Sequence, residues 1–116
     1  MVRCPFDEGS LTGELKPDTQ FPPEDFRGHY FGGARLKETC ERVAAVEKEV
    51  LGSVAPTLAI AALKFVLSFD AVSTVIPGMR KVSHVQKNVL ASDGNYFSAM
   101  ELARLAQYRW IRNFYA

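Results

Sequence analysis

Cysteine is scarce in this sequence, which has only Cys4 and Cys40. Two cysteines so far apart do not indicate a disulfide framework, and a reducing compartment is the default expectation. The first five residues lead straight into a polar loop, without the charged and apolar regions of a secretory signal. These absences together predict a cytoplasmic protein.

Long apolar runs and an excess of charge are also missing. The longest apolar stretch, residues 54–69, is interrupted by Pro56 and Lys64. It falls short of the roughly 20 residues that a membrane-spanning helix needs. The net charge of +1 argues against nucleic acid or an anionic membrane as the dominant partner. We therefore expect neither a membrane nor a nucleic acid as a partner.

Motifs of common catalytic and metal centres do not occur. The cysteines and the two histidines, His29 and His84, show no spacing such as C-x₂-C or H-x₃-H. A Walker loop and a nucleophile elbow are lacking as well. His29 with Tyr30 is interpreted as a solvated histidine beside a loop aromatic, because no recognisable lysine–aspartate pair accompanies them. No catalytic residue and no metal ligand is assigned.

Apolar residues are present in an ordinary amount, 47% of the 116 residues. This predicts one small domain over residues 1–116 with a modest core. Residues 35–51 show the apolar spacing of an amphipathic helix, and Gly52 fits its C-terminal stop. Residues 56–69 are apolar on nearly every side, with Lys64 as a polar interruption. Much of that helix is expected to face water and to promote self-association.

Two further segments lie outside these helices. Residues 14–34 form a long loop rich in proline and glycine, which we expect to be mobile or folded onto a neighbouring chain. Ser98 and Glu101 form a capping-box signature, and a helix is predicted from there to about residue 113. At the end of this helix, the aromatic side chains are interpreted as packing groups, and the arginines as charges favoured by the negative end of the helix dipole. The alternative is a stacking surface for nucleic-acid bases.

The stretch of residues 72–88 carries the strongest functional signal. Within residues 72–76, the β-branched Val72, Val75 and Ile76 predict a buried strand. Pro77 cannot donate a ladder hydrogen bond and Gly78 tolerates almost any backbone angle, so the two residues end the strand in a turn. A tight glycine turn after a strand allows a ligand to approach the backbone closely.

A short helix with basic residues at its start follows this turn. Ser83 with Gln86 resembles a capping box that opens the helix. Free amides and the positive end of the helix dipole meet the charges of Arg80 and Lys81 there. This combination suits an anion. The alternative is an exposed pair of surface charges.

The segment VSTVIPGMRKVSHVQKN resembles the last strand, phosphate loop and helix of an aldo/keto reductase, where an I-P-G-x-R stretch grips NADP. Residues 5–13, PFDEGSLTG, resemble the loop after the seventh strand of the same barrel. Residues 57–78 resemble the helix that leads into the eighth strand. The resemblance implies that the fold is α/β by ancestry and that the chain forms part of a (β/α)8 TIM barrel. The content would be mostly helical, with about four helices and one or two short strands.

The same resemblance implies a nicotinamide dinucleotide, NADP, as cofactor. Arg80 would bind its 2′-phosphate, and Asn88 matches an asparagine beside the adenine. His84 replaces the usual arginine or glutamine. Lys87 replaces a glutamate and cannot accept a hydrogen bond from the adenine amino group. The implied cofactor-binding residues are Gly9, Ile76, Pro77, Gly78, Met79, Arg80, His84 and Asn88.

The catalytic tyrosine, lysine, aspartate and histidine motifs of the family find no match in this sequence. The resemblance therefore implies the NADP-binding C-terminal part of an NADPH-dependent carbonyl oxidoreductase, without independent catalysis. A homo-oligomer or a missing barrel half would be its partner. The alternatives are a self-associating interaction module and a truncated gene product with no enzymatic role.

Overall fold

The computed structural model describes residues 1–52, 54–112 and 114–115, and most of its regular structure is helical. Short 3₁₀ segments cover Asp7–Thr12, which is kinked at Glu8 and Gly9, and also Val89–Ser92 and Ala106–Tyr108. The strands and α-helices, in chain order, are β1 (Val2–Arg3), α1 (Arg27–Tyr30), α2 (Arg35–Val50), α3 (Leu58–Leu67), β2 (Val75–Ile76), α4 (Val82–Asn88) and α5 (Ala99–Leu105).

The two strands form a small parallel sheet. Val2 pairs with Val75 and Arg3 with Ile76, and the Val2 amide donates to the Thr74 carbonyl at 3.0 Å. Parallel strands need a long crossover, which α2 and α3 provide here. The predicted strand over residues 72–76 is shorter than expected, because the Val72 amide instead donates to the Phe69 carbonyl in a turn. The prediction that this strand is buried is wrong, since Val75 is half-buried and Ile76 is 52% exposed.

The main core is built around α3. Its buried side chains include Leu58, Ile60 and Leu63, and they join Val43 and Val50 of α2. The expectation that much of this helix faces water is wrong. The loop after β1, β2, α4 and the 3₁₀ turn after α4 all contact α3, so only its last turn and the residues just after it are substantially exposed.

Lys64 is a buried part of this core rather than a solvated interruption. Its side chain is 2% exposed, and Nζ donates to the Val54 carbonyl and to Asp93 Oδ2, both at 2.8 Å. Ser68 Oγ donates to the Lys64 carbonyl and accepts from the Phe97 amide. The network fastens α3 to the segment that precedes α5.

A second cluster holds the segment of residues 14–34. Tyr30 and Phe31 are 2% and 3% exposed and pack with Leu36 of α2, and Phe21 and Phe114 cover them. The expected mobile or intermolecular loop is therefore wrong. Tyr30 and Phe31 find apolar cover on α2 and on the C-terminal segment of the same chain, whereas Phe26 is 54% exposed. His29 is exposed, as predicted, whereas its neighbour Tyr30 is a core residue.

The helix ends test the capping predictions. The capping box at the start of α5 is confirmed, since Ser98 Oγ accepts from the Glu101 amide and Glu101 Oε2 accepts from the Ser98 amide. The helix ends at Leu105 and continues as a 3₁₀ turn to Tyr108, which is earlier than predicted. Residue 113 lies outside the described residues. None of the helices described is both long and apolar enough to cross a membrane.

Candidate nucleotide-binding site

Two loops leave the same edge of the small sheet. Because β1 and β2 are parallel, their carboxyl ends point the same way, and residues 4–13 and 77–81 both begin there. In parallel α/β proteins, ligands bind outside the carboxyl ends of the strands, where loops can converge. The fold therefore places two of the predicted binding segments on one side of the molecule.

The backbone of the turn after β2 is open. Across the described chain, no residue accepts a hydrogen bond from the amides of residues 78–83. An added Cβ at Gly78 would meet nothing within 4 Å. Lys81, not the predicted Ser83, is the N-cap of α4. Ser83 lies in the first turn and forms no capping hydrogen bond, so that capping-box prediction is wrong.

Basic side chains flank this open turn. Arg80 and Lys81 are both exposed, and within the described part of the chain neither forms an ion pair. Arg80 lies close enough to Asp25 to contribute to the lowering of that carboxyl's pKa. Arg80 is thus near Asp25 without an ion pair to it, and its side chain is exposed.

A further arginine, Arg27 of α1, lies beside the loop after β1. Gly9 has a φ of +100°, and a Cβ there would lie 3.6 Å from Arg27 Nη1. Arg27 in turn forms a two-pronged pair with Asp25, with Nη2–Oδ2 at 2.6 Å and Nε–Oδ1 at 3.0 Å. Sequence reasoning missed Arg27 and Asp25. Their two-residue spacing was the available signal, but their proximity to Gly9 depends on how the loop folds.

The outer part of the candidate site lies on α4. His84 and Asn88 are one helical turn apart and both half-buried. Asn88 Nδ2 is buried, and no hydrogen-bond partner for it is found among the described residues. A buried amide nitrogen without a partner is costly, which makes this atom a candidate donor to a bound molecule. Lys87, beside it, is exposed.

Comparison with known families identifies the ancestry of this arrangement. A model described as the aldo/keto reductase family matches residues 1–109 of the 116. The chain belongs to the aldo/keto reductase family. The family resemblance of the sequence is thereby confirmed, and TIM-barrel ancestry follows from it. The short length and the two parallel strands fit part of an aldo/keto reductase barrel. No curated protein matches the sequence.

The chemistry available at the open turn after β2 is that of binding an anion. Open amides, a Cβ-free glycine and an unpaired guanidinium are donors and positive charges, which suit a phosphate. Within residues 1–52, 54–112 and 114–115, no three His, Cys, Asp or Glu side chains are grouped so that they could hold a metal ion. The donors and positive charges of this turn are compatible with binding an anion.

The pKa of Asp25 provides a test of how this corner is assembled. The Arg27 guanidinium, chiefly, lowers that pKa from 3.8 to about 2, with a smaller contribution from Arg80. Because the folded value lies below the ordinary one, the pair stabilises the fold above pH 3.8, and this contribution is lost as the pH falls towards 2. Carboxyl NMR titration should give an Asp25 midpoint near the lower value.

In the Arg27→Gln variant the Asp25 midpoint should rise but stay below the ordinary value, because the backbone N–H of residue 27 still donates to Asp25 Oδ1, and in Arg80→Gln it should rise only slightly. Lys37→Gln, an exposed change on α2, is the matched control and should leave it unchanged. An Asp25 midpoint at its ordinary value in the wild type would contradict the described pairing of Asp25 with Arg27.

Proposed function

We propose that this chain is the NADP-binding corner of an NADPH-dependent carbonyl oxidoreductase. The proposal depends on one observation above all: the amides of residues 78–83 have no hydrogen-bond acceptor within the described chain, and the same turn carries the exposed Arg80, which forms no ion pair there. Membership of the aldo/keto reductase family supports the choice of nicotinamide dinucleotide as the ligand.

Each proposed residue has a role that its chemistry allows. Arg80 binds the 2′-phosphate through charge-assisted hydrogen bonds. Gly78 permits close approach, Met79 offers its backbone amide, and Ile76 and Pro77 shape the turn. Gly9 forms a wall over the pyrophosphate on the other loop.

The adenine end of the proposed ligand binds beside α4. The buried Asn88 Nδ2 would gain its missing acceptor there, and His84 can stack or donate a hydrogen bond. The exposed Lys87 supplies only donors, so the adenine amino group receives no acceptor from it. This pattern favours weak binding.

Carbonyl reduction by this chain alone is not part of the proposal. A bound NADPH supplies a hydride, whereas the residues of this chain hold and orient the phosphates and the adenine. The family's catalytic tyrosine, lysine, aspartate and histidine motifs have no counterpart in the sequence. We therefore assign the chain a binding role, and we place it in the cytoplasm because both of its cysteines are free thiols.

A partner is proposed as well, either a second copy or a missing half of the barrel. Two-stranded sheets are marginal on their own, and this sheet has no third strand among the residues described. The outward side chains Val82, Val89 and Leu90, on and after α4, are 74%, 59% and 60% exposed. The same surface favours the alternative candidate, a self-associating interaction module without enzymatic role.

Calorimetric titration with NADPH and NADH tests the proposed site. We expect the Arg80→Ala variant to bind NADPH about tenfold or more weakly, since a charge-assisted bond contributes on the order of 1.5–3 kcal/mol. NADH binding should be unchanged, because NADH lacks the 2′-phosphate. Lys37→Ala, which removes an exposed charge on α2, is the control.

Titrations at several protein concentrations, with light scattering in parallel, test the partner. Affinity for NADPH that rises with the assembled fraction supports conditional binding. Equal affinity of wild type and Arg80→Ala for NADPH would reject the assigned role of Arg80. A monomer at every concentration would reject self-association and leave the missing barrel half as the proposed partner.

A further inference from the structure

An open groove of about 430 Å³ lies between the end of β1, α2, α3 and the C-terminal segment. Its lining is mainly apolar and includes Val50 of α2, Phe65 of α3 and Trp110. Phe65 is 39% exposed although it belongs to the central helix. This groove is separate from the open turn after β2, none of whose residues line it.

The groove runs along the free edge of β1. Side chains of successive strand residues point to opposite faces, yet both residues of β1, Val2 and Arg3, line the groove. A groove that contacts consecutive residues lies at the edge of the strand rather than on one face. Neither residue of β2 contributes to it, so the edge is the one away from β2.

The backbone at this edge is available for pairing. The Val2 amide donates to Thr74, so Val2 faces β2, and in a parallel ladder the next residue, Arg3, presents its N–H and C=O to the opposite side. No further strand pairs with β1 within the described chain. Parallel strands are normally paired and covered on both sides, and an unpaired edge is a template for another strand.

Charge at the groove is mainly positive. Three arginines and one aspartate line it: Arg3, Arg109, Arg112 and Asp7. Arg112 pairs with Asp7, whereas neither Arg3 nor Arg109 has a carboxylate within ion-pair distance in the part of the chain that is described. An occupant with acidic residues at its ends would complement these two charges.

We propose that the groove and the β1 edge accept an extended apolar strand with acidic flanks, contributed by a different polypeptide. Strand addition satisfies the free backbone groups through main-chain hydrogen bonds, and alternate apolar side chains fill the groove. The strand comes from another polypeptide because a second copy that met this edge with its own would place Arg3 and Arg109 against the same two positive charges. The inference rests on the proposed need for a partner and specifies where and how that partner binds.

Trp110 reports on the groove directly, because it is the single tryptophan of the chain. The probe is a short capped peptide in which valine alternates with threonine between two aspartates. We expect a saturable change in tryptophan fluorescence. Proline at the central position, which removes a donor, should weaken binding about fivefold or more. Lysine in place of the aspartates should weaken it about two- to fivefold.

Phe65→Ala and Phe69→Ala form a matched pair of variants. The two rings contact each other edge to face and are similarly exposed, but only Phe65 lines the groove. Phe65→Ala should weaken peptide binding about tenfold and Phe69→Ala by less than about twofold, since only the first removes apolar groove surface. Circular dichroism checks that both variants fold.

All peptide titrations omit nucleotide, so they are independent of the NADPH experiment. Absence of a fluorescence change, equal binding of the proline peptide, or equal effects of the two phenylalanine variants would overturn the proposal. A wild-type dimer that becomes a monomer in Phe65→Ala would also overturn it, because the occupant would then be a second copy. Peptide binding with no NADPH binding would support the groove and reject only the nucleotide site.

Discussion

Replacement of Tyr30 with alanine is expected to lower the free energy of unfolding by about 3–5 kcal/mol, the usual cost of deleting a buried aromatic ring. Tyr30 is 2% exposed. Its ring packs edge to face against Phe31 and Phe114, with centroid distances of 4.8 and 5.4 Å. The substitution therefore leaves a cavity where the segment of residues 14–34, α2 and the C-terminal segment meet.

In the Tyr30→Ala variant, the loss of hydrogen-exchange protection should be largest where Tyr30 contacts distant parts of the chain. Its hydroxyl donates to Asp7 Oδ1 at 3.1 Å, which links it to the loop after β1. The Arg112 guanidinium lies 5.7 Å from its ring centre and pairs with the same aspartate. Hydrogen exchange should show loss of protection in residues 26–31 together with the loop after β1.

Urea unfolding followed by circular dichroism measures the Tyr30 effect, with two control variants. Tyr30→Phe keeps the ring and removes only the hydrogen bond to Asp7, so its cost should be about 0.5–1.5 kcal/mol. Phe26→Ala removes a neighbouring ring that is 54% exposed and should cost less than Tyr30→Ala. A Tyr30→Ala variant within about 1 kcal/mol of the wild type would contradict the buried position of this segment.

The contrast between residues 14–34 and the segment around α5 shows which features the sequence could predict. The capping box at Ser98 is local, since donors and acceptors three residues apart determine it, and it was predicted correctly. The packing of Tyr30 depends on Phe114 and Arg112, which are more than 80 residues away along the chain. Proline and glycine content describes the local backbone but does not identify such distant partners.

The candidate site divides in the same way. The turn of Pro77 and Gly78, with Arg80 after it, is a contiguous motif and could be proposed from the sequence alone. Arg27 could not be assigned from the sequence, because its approach to Gly9 depends on how the start of α1 packs against the loop after β1. The position of the α4 N-cap was also missed. Lys81 adopts the extended backbone conformation of a cap without providing a capping side chain.

Lys64, the polar interruption of the apolar helix, is buried in the structure, and its replacement is the second change with a large expected effect. We expect Lys64→Ala to lower the free energy of unfolding by about 2–4 kcal/mol. The substitution deletes a buried four-carbon stem and leaves the Val54 carbonyl without its hydrogen-bond donor. Lys48→Ala, an exposed change on α2, is the matched control and should change stability by less than about 0.5 kcal/mol.

Lys64→Met separates the stem of Lys64 from its charge. Methionine restores most of the buried volume but neither hydrogen bond, so its cost should lie between those of the wild type and Lys64→Ala. The Lys64 ammonium lowers the pKa of Asp93 below its ordinary value of 3.8. The stabilising contribution of the pair is therefore complete above that value and is lost as the pH falls through the lower, folded value.

The difference in stability between wild type and Lys64→Met should accordingly shrink when unfolding is measured at pH values below the ordinary aspartate pKa. The difference between Lys64→Met and Lys64→Ala should persist there, because packing of the stem does not titrate. If Lys64→Ala were as stable as wild type at neutral pH, the side chain would have to lie in solvent. The hydrogen-bonded attachment of α3 to the segment before α5 would then consist of the bond from the Phe97 amide to Ser68 Oγ, beside the apolar packing of Ala91 and Phe97.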